Sequence, residues 1–153
     1  MPYQVEVSSH LRAPRDQVWN EVSSMRGVNR ELWPWLRMTH PKGLQRLDQQ
    51  PVPLNQRLFR SWLLVLGWLP VDYDDIGFEE LDPGSGFVEV STMLSLRTWR
   101  HERRIVAVPD RGCLLTDRLT FEPRIPGTGR IAMRIVRKLF DHRHARLRRR
   151  FGS

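Results

Sequence analysis

Three polar side chains occupy strand positions that are otherwise apolar. From Trp99 to Val108 the odd positions carry Trp99, His101, Arg103, Ile105 and Ala107, while Arg100, Glu102 and Arg104 take even ones. From Cys113 to Glu122 the odd positions are Cys113, Leu115, Asp117, Leu119 and Phe121, against Thr116, Arg118, Thr120 and Glu122. Strand side chains alternate between faces, so the odd set of each segment is expected to be buried. A three-residue loop at Pro109 to Arg111 that closes a hairpin sets Arg103 opposite Asp117 inside and Glu102 opposite Arg118 outside. The outer pair is of opposite charge and supports this register. His101 stands one inward step from Arg103. Such a group can orient or protonate a bound molecule, or it can neutralise itself and hold the sheet. The structural pair is the expected reading, because a buried charge without a partner is costly.

Other chemistry-bearing residues are more scattered. Tyr73 is a candidate general acid or hydrogen-bond donor, flanked by Asp72, Asp74 and Asp75, which read as a turn or strand-start cluster. His142 and His144 are two apart on a helical segment and do not form a metal pair. Cys113 is the single cysteine, so no internal disulfide and no thiolate metal site is expected. The chain has no phosphate-binding loop, dinucleotide fingerprint or nucleophile elbow, and no cofactor is implied. Candidates for catalysis are therefore His101, Asp117 and Tyr73.

Composition limits the classes that remain. The 153 residues are 40% hydrophobic and 27% charged, as in a soluble globular domain, and one domain over residues 1–153 is expected. The apolar stretch from Trp62 to Val71 is about half of the ~20 residues that a membrane-spanning helix needs. The opening residues alternate in polarity and lack a secretory layout, so a cytoplasmic location is expected. The net charge of +8 comes from the last segment: Arg130 to Ser153 holds nine Arg or Lys residues and one acid, Asp141, while the rest is formally neutral.

The elements that must position these residues follow from periodicity. Tyr3 to Leu11 alternates as a strand with one dry face. Pro14 and Asp16 open a short helix whose apolar side is Val18, Trp19, Val22 and Met25. Gly27 interrupts it, and a second helical piece is expected over Val28 to Leu36, with Pro34 as a kink or boundary. Pro41 to Pro53 reads mostly as loop, with a short strand at Gly43 to Leu47. Strands are expected at Gln56 to Leu66, Val71 to Leu81, Phe87 to Leu96, Trp99 to Val108 and Cys113 to Glu122, with Gly- and Pro-rich turns between neighbours. Arg130 to about Arg150 lacks Gly and Pro and is periodic in Ile131, Ile135, Val136, Leu139, Phe140 and Leu147, which predicts a terminal helix of roughly 30 Å. The α+β arrangement that buries all these faces is a curved antiparallel sheet of six to seven strands wrapped around the last helix.

The opening Ser9-His10-Leu11-Arg12-Ala13-Pro14-Arg15-Asp16-Gln17-Val18-Trp19 resembles the START/Bet v 1-like (SRPBCC) superfamily, whose helix-grip fold has this element order. Arg60 to Leu64, Gly67 to Asp72, Trp99 to Arg103 and His142 to Leu147 resemble its polyketide cyclase/dehydrase-like branch. The resemblance implies an apolar cavity between sheet and terminal helix that holds lipids, sterols, polyketides or similar molecules. Its walls are then expected from the aromatic and Met inventory and the helix, namely Trp33, Met38, Phe59, Met93, Trp99, Met133, Val136 and Phe140. His101, Arg103 and Asp117 are its expected polar contacts.

Three functions compete. The first is binding of a hydrophobic small molecule. The second is a cyclase, aromatase or dehydratase in which His101, Asp117 or Tyr73 moves protons. The third is contact with RNA, an acidic membrane surface or a protein through Arg143 to Arg150. Trp62 to Leu69 is apolar on both faces, so the expected assembly is a monomer or a weak homodimer.

Overall fold

The fold was obtained as a computed structural model describing residues 2–48 and 52–153. Its elements in chain order are β1 (Tyr3–Leu11), α1 (Arg15–Val22), α2 (Met25–Leu32), β2 (Leu36–Met38), β3 (Arg57–Val65), β4 (Leu69–Asp82), β5 (Gly86–Met93), β6 (Leu96–Val108), β7 (Gly112–Pro123) and α3 (Gly129–Phe151). Seven strands form one antiparallel sheet in the order β1-β7-β6-β5-β4-β3-β2, curled into a half-barrel that holds α3. This is the helix-grip fold.

The short elements differ from the sequence expectation. Helix α2 begins at Met25, because Ser24 caps it by accepting a 2.9 Å hydrogen bond from the Gly27 amide. Gly27 does not interrupt a helix but lies inside α2, where a Cβ would sit 1.8 Å from the carbonyl oxygen of Glu21. Residues Leu36–Met38 form an edge strand instead of continuing a helix, tied to α2 by Asn29, which donates to the Met38 carbonyl and accepts from its amide. The strand expected at Gly43 to Leu47 is reduced to a single bridge between Ser24 and Arg46. Residues 49–51 of the expected loop lie outside the described residues.

The β6–β7 hairpin has the register that the charge pattern requires: Arg103 pairs with Asp117 and Glu102 with Arg118. Its loop depends on Gly112, whose φ of +92 is a left-handed conformation and whose Cβ would lie 2.0 Å from the Leu11 carbonyl oxygen. Gly112→Ala is therefore expected to destabilise the protein by about 2 kcal/mol or more, from backbone strain plus collision with β1. A urea denaturation midpoint unchanged from wild type would contradict this.

The core is divided by a polar layer. One buried cluster joins Leu11, Trp19, Phe59, Phe78, Ile105 and Leu147, and the other joins Val5, Trp99, Leu119, Phe121, Val136 and Phe140. Along β7, Asp117 lies between Leu115 of the first and Leu119 of the second, and along β6 the residues between Ile105 and Trp99 include Arg103 and His101.

Candidate ligand cavity and the buried charge network

The polar layer is a closed network centred on Asp117, which is fully buried. Its Oδ1 accepts from Arg103 Nε and His101 Nε2, both at 2.7 Å, and its Oδ2 accepts from Arg103 Nη2 and His144 Nε2, both at 2.8 Å. Burial alone would disfavour the charge, but the Arg103 guanidinium outweighs it, with His101 adding, and holds the carboxyl well below its usual range. Because an ionised carboxylate only accepts, both histidines present Nε2–H to it. His144 Nδ1 then accepts from the Ser9 hydroxyl at 2.7 Å, and Ser9 Oγ accepts from Arg148 at 2.8 Å.

Glu31 completes the layer from α2. It accepts from Arg103 Nη1 and Nη2 at 3.1 and 2.9 Å and from Arg143 Nε at 2.9 Å. Burial again opposes ionisation, and Arg103 followed by Arg143 reverses it and lowers the Glu31 pKa. Two guanidiniums, Arg103 and Arg143, are thus matched by two carboxylates, Asp117 and Glu31.

This network clamps the C-terminal half of α3 to the sheet and to α2. The N-terminal half packs one side on the second core cluster and turns the other to a cavity of about 630 Å³. Its walls come from α3 (Ile131, Ala132, Ile135, Val136, Leu139 and Phe140), from α2, β2 and β3 (Leu32, Leu36, Met38, Leu63 and Val65) and from β6 (Leu96 and Trp99). Polar groups enter from β4, β5, β6 and α3 as Asp72, Asp74, Glu89, His101 and Arg143. Ile125, Ile131 and Ile135 line the cavity and are each more than 60% exposed, so the space opens to solvent at that end.

The expected contact residues divide into two groups. Met38, Met93, Trp99, His101, Val136 and Phe140 line the cavity. Arg103 and Asp117 do not, because the network encloses them completely. Phe59 is packed into the first core cluster and Met133 against the second, while Trp33 is exposed beside Gly67 in a separate surface groove. Tyr73 is on the opposite face of β4 from Asp72 and Asp74. There the Arg60 guanidinium lies 3.9 Å above its ring, and Trp62 meets it edge-on. Its phenol is not a cavity group.

Several polar residues were not expected here. Asp72, Asp74 and Asp75 lie within strand β4, not at a turn, and Asp75 is paired outside with Arg60 at 2.8 Å. Asp72 is fastened by the amides of Tyr73 and Ser95 and by the Ser95 hydroxyl. Asp74 and Glu89 share the inward register of Ile76 and Phe78 and of Phe87 and Met93, a signal readable from alternation alone. His144, to which the sequence assigns no role, is completely buried. The basic end is also largely engaged: Arg146 donates to the Arg30 carbonyl and Arg150 pairs with Glu21.

The family model described as a domain of unknown function, DUF8410, matches residues 9–151. No curated protein sequence matches the chain. Among solved structures, the fold is similar to a START superfamily protein from Mycobacterium smegmatis, with 12% identity, a TM-score of 0.67, and coverage of 97% of this chain and 96% of that one. It is similar to the Zhui aromatase/cyclase from Streptomyces sp. R1128, with 14% identity, a TM-score of 0.66, and coverage of 96% and 92%. Ara h 8.0201 is similar at 9% identity and a TM-score of 0.60, with coverage of 96% and 98%. At these identities the likeness concerns the fold. Among the described residues no helix is long and apolar enough to cross a membrane.

Proposed function

The chain belongs to the DUF8410 family, and we propose that it binds a hydrophobic small molecule, lipid-, sterol- or polyketide-like, between the sheet and the N-terminal half of α3. The observation that carries this reading is an open, mostly apolar cavity of about 630 Å³. That size falls within the roughly 300–1,000 Å³ of small-molecule sites. Three exposed isoleucines at its edge mean that a ligand could enter without unfolding the helix. The cyclase reading has less support, because Tyr73 faces outward and all acceptor positions of Asp117 are engaged, leaving only His101 of that trio at the cavity wall.

The test is uptake of an uncharged fluorescent probe, N-phenyl-1-naphthylamine, with native mass spectrometry of the purified protein beside it. Wild type is expected to bind the probe saturably. Ala132→Trp, which places an indole in the cavity, is expected to weaken uptake about tenfold or more while the far-UV spectrum is kept. Equal uptake by both proteins, with only the bare mass in the spectrometer, would overturn the proposal.

A further inference from the structure

One wall of the cavity holds two carboxyl groups that the Asp117 network does not use. Asp74 on β4 and Glu89 on β5 both line the space and are only 4% and 8% exposed. Glu89 accepts from the Ser91 hydroxyl at 2.8 Å, and His101 Nδ1 stands 3.8 Å from its Oε1. Asp74 is different. Its Oδ1 is sealed from solvent, and no donor among the described residues reaches it. A buried oxygen without a donor costs stability, and native proteins rarely leave one in place without a reason.

Two neighbouring carboxyls out of water do not both ionise. Burial, and then the charge of Glu89, pushes the Asp74 carboxyl well above its usual range. Burial acts the same way on Glu89, but the nearby His101 ring and a hydrogen bond from Asp74 outweigh it and hold Glu89 low. The pair therefore keeps one proton, resident on Asp74 and donated to Glu89. The sealed Oδ1 is the oxygen that can hold this proton against Glu89, which leaves Oδ2 as the acceptor for a donor supplied from within the cavity. Arg103 and Arg143 are already matched by Glu31 and Asp117, and Arg124, which also lines the cavity, donates to the Met93 carbonyl, so none of the three arginines pairs with Asp74 or Glu89.

We propose that Asp74, backed by Glu89, is the subsite for the hydroxyl group of an otherwise apolar, uncharged ligand. The ligand's O–H donates to Asp74, and its hydrocarbon part lies along Trp99, Phe140 and the α3 isoleucines. A ketone has no hydrogen to donate there. A carboxylate brings a second negative charge against Glu89. This inference deepens the cavity reading and rests on it.

The experiment displaces N-phenyl-1-naphthylamine with 1-decanol, 2-decanone and decanoate at neutral pH, from wild type, Asp74→Asn and Asp74→Leu. In wild type, decanol is expected to displace the probe at about tenfold lower concentration than decanone or decanoate, the effect of one hydrogen bond to an otherwise unsatisfied buried acceptor. Asp74→Asn keeps an acceptor oxygen and a donor to Glu89, so the preference for decanol is expected to persist. Asp74→Leu removes the acceptor, and the decanol-to-decanone ratio is expected to fall to about one, as for ligands held by apolar contact alone. A wild-type ratio near one overturns the subsite without any variant, as does a preference that survives in Asp74→Leu. Probe uptake with no end-group preference leaves the cavity reading standing and removes this one. Absence of uptake removes both.

Discussion

Arg103→Ala is expected to lower stability by about 3–5 kcal/mol, the usual result of removing one member of a buried ion network. At this chain length that corresponds to a fall of roughly 6–20 °C in Tm. The reason lies in what is left behind. Arg103 is completely buried and bonds both Asp117 oxygens and both Glu31 oxygens. Without it two carboxylates remain in a layer sealed by apolar clusters above and below. Their remaining partners, His101, His144 and Arg143, were placed to share the charge with Arg103. Replacing the pair together, as Arg103→Met with Asp117→Asn, is expected to recover much of the loss, since Glu31 then keeps Arg143 and no unpaired charge remains inside. Guanidinium denaturation of the two proteins measures both quantities. A shift of less than about 1 kcal/mol in Arg103→Ala would show that the layer is not held as one unit.

Acid is expected to unfold the protein through the same carboxylates, while Asp74 acts in the opposite direction. Asp117 and Glu31 have lowered pKa values in the folded state. Unfolded Asp and Glu protonate near about 3.9 and 4.3. Their contribution is therefore present above those values and is lost as pH falls through the lower folded ones. Asp74 has a raised folded pKa. It contributes fully below about 3.9, where both states are protonated, and its contribution is lost as pH rises through the folded value. Two variants separate these effects. Asp117→Asn is expected to be strongly destabilising at neutral pH, with the difference from wild type shrinking below about pH 4. Asp74→Asn is expected to be neutral in acid and stabilising at neutral pH, because the amide carries no ionisation cost. Urea titrations across that range give both curves. A destabilising Asp74→Asn at neutral pH would mean that Asp74 is ionised in the fold and that the shared proton is wrong.

The proposed gain from Asp74→Asn has a functional corollary. A residue kept at a cost to stability, on the wall of an open cavity, marks a place where folding and binding make different demands. Glu31, by contrast, is buried to a similar degree, but both its oxygens are held by arginines. Comparing the two separates a structural acid from a candidate binding one more clearly than burial does.

Much of the frame was legible from alternation. The Arg103–Asp117 register followed from a three-residue loop and an outer Glu102–Arg118 pair, because strand pairing permits few offsets once the dry faces are known. Strand β1 and helix α3 were equally readable, being long and strongly periodic. Strand β2 was not, since its three residues are held by Asn29 from another element and not by their own pattern. Reading Asp72, Asp74 and Asp75 as a turn or strand-start cluster misses that Asp72 and Asp74 face inward, although Ile76 and Phe78 already fix that parity.

By itself the sequence determined the helix-grip order of elements, the facing of β6 against β7, and the presence of charge on an otherwise dry face. Those are properties of periodicity and near neighbours in the chain. Only the tertiary structure decided what that charge is for. Glu31 and Asp117 lie far apart in sequence and meet on Arg103, which closes the layer and takes Asp117 out of reach of any ligand. The same closure ties down one half of α3 and leaves the other half standing over a cavity, with Asp74 facing into it. Whether a buried polar atom is satisfied depends on donors from distant segments. Local pattern cannot express that, and it is the difference here between a structural residue and a candidate site.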